Sequence, residues 1–120
     1  VHPLPLHASP TLCVDCRESY WPEDEELEAI GLMEQKGQVF LHRSKGCARC
    51  SGTGFRGRVA LYEVLPVTAE IRRMIEAPTD EIFAAALRAG MTTLRQDGIR
   101  LCLEGVSSLS EIRRVTGDGS

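Results

Sequence analysis

The chain has 120 residues, 42% of them apolar and only 5% aromatic, with a formal net charge of −3. That length suits one compact domain or two small subdomains, with a modest aliphatic core that a metal could reinforce. The pI of about 5.6 argues against a nucleic-acid binder, and no run approaches the roughly 18 apolar residues of a membrane span.

The N-terminus shows no charged-then-apolar signal pattern, so a soluble intracellular chain is expected. Charge is unevenly spread. Residues 1–42 carry 8 acids and 2 bases, whereas residues 43–58 carry 5 bases (Arg43, Lys45, Arg49, Arg56 and Arg58) and no acid. Such a segment either offsets nearby thiolates and the acidic helix that precedes it, or docks an acidic partner.

In chain order, residues 1–11 hold three prolines and no regular period, which predicts an extended tail or linker. Pro22 and the acids at 23–26 suit the first turn of a short helix with Leu27 and Ile30 on one face and Gly31 at its end. Residues 38–43 read as a strand. Residues 51–57 are loop, and residues 59–65 (VALYEVL) read as a second strand, apolar enough to be covered on both faces. Thr68 is a candidate N-cap for a helix to about Glu76, with Ile71, Met74 and Ile75 inward. Pro78 and Thr79 begin a helix expected to bury Ile82, Phe83, Ala86 and Leu87 and to stop at Gly90. Thr93 and Gln96 fit a capping box for a helix carrying Leu94, Leu101 and Cys102 to Gly105, in which Gly98 marks close helix packing. Ser108 and Glu111 suggest another such box, with Leu109, Ile112 and Val115 inward and Gly117 at the end. The fold class is therefore α+β and predominantly helical. Its expected parts are a tail (1–11), a metal-binding subdomain with a few short strands (12–66) and a helical subdomain (67–117).

Cys13, Cys16, Cys47 and Cys50 fall as C-x2-C-x30-C-x2-C. Two thiolates three residues apart on a tight turn can face one ion, and two such turns complete a tetrahedral set. Soft thiolates suit zinc, which outranks ferrous iron at similar sites; a rubredoxin-like iron site is the alternative. A site closed by four thiolates leaves no position for substrate water, so its role is structural. Disulfides do not fit a chain with no sign of secretion, and a thioredoxin-like pair would need a flanking βαβ pattern. Cys102 reads as a small core residue. With four cysteines available, His2, His7 and His42 are not needed as ligands.

Three motifs occur in order: the paired CxxC knuckles, GFRGRVALYE after the second knuckle, and MTTLRQDG opening a late helix. Together they resemble the C-terminal region of the secretion ATPases that drive type II secretion and type IV pilus assembly, the GspE/PilB family, over roughly residues 12–117. The resemblance implies a tetracysteine zinc subdomain, with Cys13, Cys16, Cys47 and Cys50 as its ligands, followed by a helical subdomain. It further implies attachment to a RecA-like core that binds ATP and magnesium in a hexameric ring. The implied location is the cytoplasm, peripheral to the bacterial inner membrane, and the implied partners are the core domain, neighbouring subunits and the assembly platform. The chain departs from the family by lacking G-x-x-x-x-G-K-[ST] and the Asp-box and His-box motifs, so no catalytic motif is present here and a fragment or truncated relative is expected. No nucleic acid or small-molecule substrate is expected. The leading reading is a zinc-stabilised module coupling the ATPase core to its platform, with Arg43, Lys45, Arg49, Arg56 and Arg58 as the docking surface. The alternative is a stand-alone zinc-binding module for protein or nucleic-acid interaction.

Overall fold

The computed structural model describes residues 7–64 and 67–117. Its first regular element lies where the prolines forecast a tail. Residues His7–Leu12 form strand β1, which pairs antiparallel with β4, Phe55–Leu61. Pro10 sits opposite Arg58, and the register shifts between Pro10 and Leu12. Proline is tolerated because this ribbon has two strands only, so each is an edge with one ladder to satisfy. A second two-stranded ribbon joins β2, Glu18–Tyr20, to β3, Leu41–Arg43. The strand expected over residues 38–43 is thus reduced to its last three, and β2 had no sequence signal.

Between these strands lies α1, Asp24–Ile30. Its first turn is acidic, and the Glu23 backbone N–H donates to Glu26 Oε1 at 3.0 Å, satisfying one orphan donor of the helix start. Gly31 ends it in the left-handed region at φ 72°, as expected. Leu27 and Ile30 are buried, the latter in the main core.

Strand β4 begins four residues earlier than the apolar run suggested and ends at Leu61. It is not covered on both faces: Leu61 is fully buried, but Arg56, Gly57 and Arg58 are exposed and Val59 and Ala60 only partly buried. Val64 bridges to Thr92. The expected strand end at Leu65 and the closing Pro66 lie outside the described residues.

Four helices follow. Helix α2, Ala69–Arg73, is capped by Thr68 Oγ1 accepting from the Ile71 N–H, and ends three residues before the expected Glu76. Helix α3 spans Thr79–Arg88, and the chain turns at Gly90. Their shared core is small: Ile71, Ala85 and Ala86, with Met74 and Met91 against it. Ile75, Phe83 and Leu87, expected inward, are exposed, Ile75 to 85%. The helical stripe is real, but among the described residues too little packs on it to cover its edges.

Helices α4, Leu94–Leu103, and α5, Leu109–Thr116, instead join the strands. The Thr93–Gln96 capping box is formed in both directions, at 3.1 and 2.8 Å. Ser108 Oγ accepts from the Glu111 N–H at 3.4 Å. Gly98 faces α5 so closely that an added Cβ would lie 2.5 Å from Ile112 Cγ2. The main core unites Ile30, Leu41, Leu61, Leu101, Cys102, Leu109 and Ile112. It therefore draws on residues both before and after position 66. Asp97, buried on α4, accepts the Tyr62 N–H at 3.0 Å and two bonds from Arg100, pinning the exit of β4 to the helix.

Candidate metal centre

Each knuckle is a tight turn whose backbone geometry aims two sulfurs the same way. In the first, the N–H groups of Cys16 and Arg17 both donate to the Cys13 carbonyl, at 3.3 and 2.9 Å. In the second, Cys47 precedes a single 3-10 turn, Ala48–Cys50, and the Cys47 N–H donates to Cys50 Sγ at 3.2 Å. Gly54 donates its N–H to the same sulfur at 3.1 Å, and Gly46 donates to Cys16 Sγ at 3.3 Å. The two turns are joined by the Cys13 N–H on the Gly54 carbonyl at 2.9 Å.

The glycines here are dictated by both space and conformation. A Cβ on Gly54, at φ +85°, would lie 2.4 Å from Ser44 Cβ; one on Gly46, at φ +110°, would lie 2.7 Å from the Gly52 carbonyl oxygen.

The result is one cluster of four sulfurs, all within 4.8 Å of one another. Cys13–Cys47, Cys16–Cys50 and Cys47–Cys50 each stand 3.8 Å apart, Sγ to Sγ. A zinc–sulfur bond of about 2.3 Å implies a tetrahedron edge of about 3.8 Å. A disulfide would require about 2.05 Å, and all five cysteines are free. The donor set and its spacing therefore fit a tetrahedral thiophilic metal.

The thiols differ in their readiness to ionise. Burial pushes Cys16 up to about 11 despite the Gly46 N–H. At Cys50 burial also opposes ionisation, but the N–H groups of Cys47 and Gly54 bring the thiol down to about 6. Of these two, Cys50 is the better prepared to be a thiolate, and its donors are backbone groups.

All four cysteines expected from the spacing converge. Among the described residues neither His7 nor His42 joins them in the metal-ligand group, and His2 lies outside the described residues. Cys102 is fully buried in the main core, and burial pushes its thiol up to about 12.

The sequence that builds this site is similar to known proteins. Residues 7–114 match the family described as Type II/IV secretion system protein. The chain belongs to that family. It is 41% identical over 104 residues to the type IV pilus assembly ATPase PilB of Thermus thermophilus, covering 84% of this chain and 12% of that protein. It is 34% identical over 107 residues to the type II secretion system ATPase E of Vibrio cholerae, covering 88% of this chain and 21% of that protein. A PilB of Pseudomonas aeruginosa is 36% identical over 110 residues, covering 89% of this chain and 19% of that protein. The chain thus spans no more than about a fifth of the length of these curated secretion and pilus ATPases.

In this secretion-family chain the basic residues have acidic neighbours. Arg43 and Lys45 lie 3.6 and 3.5 Å from Glu18, while Arg49 and Arg56 lie 4.0 and 3.8 Å from Asp15. Arg58 donates to the Ala8 carbonyl at 3.2 Å. The acids that answer the basic run are those of the first knuckle and β2, not those of α1. Helix α1 pairs elsewhere, Asp24 with Lys36 at 2.8 Å and Glu25 with Arg113 at 2.8 Å. Asp15 between the first two cysteines was the available signal, since one ion holding both knuckles brings this acid close to the basic second knuckle. No helix among the described residues is long and apolar enough to cross a membrane.

Proposed function

We propose that this chain is a zinc-stabilised C-terminal module of a type II secretion or type IV pilus assembly ATPase, coupling the ATP-hydrolysing core to its assembly platform. The observation that carries this reading is the four-sulfur cluster, whose 3.8 Å edges suit zinc, in a chain of the secretion family. Zinc bound there supplies no reactive position. It holds the two knuckles together and so supports the two-stranded ribbons that adjoin them.

Two surfaces support a coupling role. Val67 and Ile75 are exposed and, with Ile71 and Ile82, line an apolar groove on α2 and α3 that suits packing against a core domain or a neighbouring subunit of a hexamer. The ion pairs of Arg43, Lys45, Arg49 and Arg56 are exposed and 3.5–4.0 Å long, so they hold little energy and can be exchanged for a partner's carboxylates. In this reading the protein works in the cytoplasm against the inner membrane, and ATP and magnesium belong to the core.

Elemental analysis of protein purified without added metal tests the centre. About one zinc per chain is expected. No metal on reduced, intact cysteines overturns the reading, and iron redirects it to an electron carrier. Replacing Arg56 and Arg58 with glutamine in the full ATPase should weaken platform binding at constant zinc content; equal binding removes these residues from the docking surface.

A further inference from the structure

Besides its own backbone bonds to Leu101 and Cys102, the turn between α4 and α5 is held by hydrogen bonds from the segment that carries the first knuckle. The Leu12 N–H donates to the Val106 carbonyl at 2.8 Å. Ser9 and Ser107 share a buried hydroxyl–hydroxyl bond of 2.8 Å, and Ser107 Oγ also reaches the Pro10 carbonyl at 3.3 Å. The remaining contact has a different root. Arg17, half-buried, donates through Nη1 to the carbonyl of Gly105, 88 residues away in sequence.

The contacts of Ser9, Pro10 and Leu12 are anchored by β1, which is held along its length by backbone pairing with β4. Arg17 is anchored by the knuckle itself: it follows Cys16, and its own N–H closes the turn on the Cys13 carbonyl. Its guanidinium binds the chain one residue past the C-cap Glu104, close to the helix end, where cations are favoured. Gly105 is buried at φ +77°, and a Cβ there would lie 2.9 Å from Arg17 Nη1 and 3.1 Å from His42 Cε1. The turn is therefore clasped between Arg17 and His42, with no room for a side chain of its own.

We propose that Arg17 is the positioning residue through which metal occupancy of the tetracysteine centre is transmitted to the α4–α5 turn. With both knuckles bound to one ion, the first turn is rigid and the Arg17 guanidinium holds the Gly105 carbonyl just past α4. Without the ion, Arg17 is held only by the knuckle's own hydrogen bonds and by the start of β2 beside it, and its hold on the Gly105 carbonyl loosens while the contacts of Ser9, Pro10 and Leu12 remain. The inference rests on the zinc reading above and names the path by which a structural metal acts on the helices.

The test is amide hydrogen exchange on the intact chain, with zinc content measured in parallel. Arg17→Met keeps the apolar stem and removes the donors. Loaded with one zinc, this variant should exchange about tenfold faster at Gly105, Val106 and Ser107, the scale of one lost charge-assisted bond, with β1 unchanged. Stripping zinc from the wild type should produce a similar acceleration at those amides, and stripping it from Arg17→Met should add less than about twofold. Arg17→Lys should restore part of the protection. If the metal-free chain unfolds, the comparison of zinc-loaded proteins decides. A zinc-loaded Arg17→Met with wild-type protection overturns the coupling alone, as does an equal effect of metal removal with and without Arg17. A wild-type chain that takes up no metal overturns the coupling together with the zinc reading.

Discussion

Gly98→Ala sets two ordinary effects against each other at a single atom. Alanine is the better helix former by about 1 kcal/mol, so an open site would be stabilised. Here the new methyl would lie 2.5 Å from Ile112 Cγ2, 3.2 Å from Leu61 Cδ2 and 3.3 Å from Ile112 Cδ1. Ordinary contact begins near 3.4 Å, so α4 and α5 must separate by about an ångström or Ile112 must leave its rotamer. Ile112 is fully buried and branched at Cβ, so it has little freedom to yield. Overpacking of this kind costs about 2–3 kcal/mol, which outweighs the helix gain and leaves a net loss of about 1–2 kcal/mol. Urea unfolding of the zinc-loaded protein, monitored by far-UV circular dichroism, measures it as a lower midpoint at constant slope. The decisive step is the cycle with Ile112→Ala. That change alone should cost about 2–5 kcal/mol, but in its background Gly98→Ala should become neutral or stabilising. A stabilising Gly98→Ala in the wild-type background, or a coupling below about 0.5 kcal/mol, would refute the close α4–α5 contact as the reason for glycine.

Two further expectations concern other parts of the main core. Asp97→Asn keeps the shape of the side chain but weakens its charge-assisted bonds to Arg100 and to the Tyr62 N–H, and should cost about 1.5–3 kcal/mol by denaturant titration; a loss within 0.5 kcal/mol would mean that Arg100 and Tyr62 find water instead. Cys102 predicts an alkaline limit. Its folded thiol lies near 12 against an ordinary 9.0, so its contribution is fully present below pH 9. As pH rises from there towards about 12 the unfolded chain loses its proton first, and stability falls by up to about 1.4 kcal/mol per pH unit. Thermal unfolding of zinc-loaded wild type and Cys102→Ala between pH 8 and 11 should show a shallower alkaline decline in the variant; parallel curves would remove Cys102 as the cause.

What could be read from the chain alone was local. A ligand pair three residues apart, a threonine three residues before a glutamine and a glycine after an apolar stripe each act within one turn. Cys13, Cys16, Cys47 and Cys50, the box of Thr93 and Gln96, and the helix end at Gly31 therefore stood in the sequence as they stand in the fold. Gly98 was legible too, because a glycine amid helix formers has a cost that close packing explains. Contacts across long separations were not. The pairing of His7 with Leu61 turns a proline-rich stretch into strand β1, and nothing within six residues of either end encodes it. Asp15 and Glu18 meet the basic run only because the cysteines bring the knuckles together. Periodicity placed Ile75, Phe83 and Leu87 on the apolar side of their segments, but a stripe states what a helix could bury, not whether anything is there to cover it. That depends on where the other elements pack. Here β4, α4 and α5 close on one another, and α2 and α3 keep their apolar edges open.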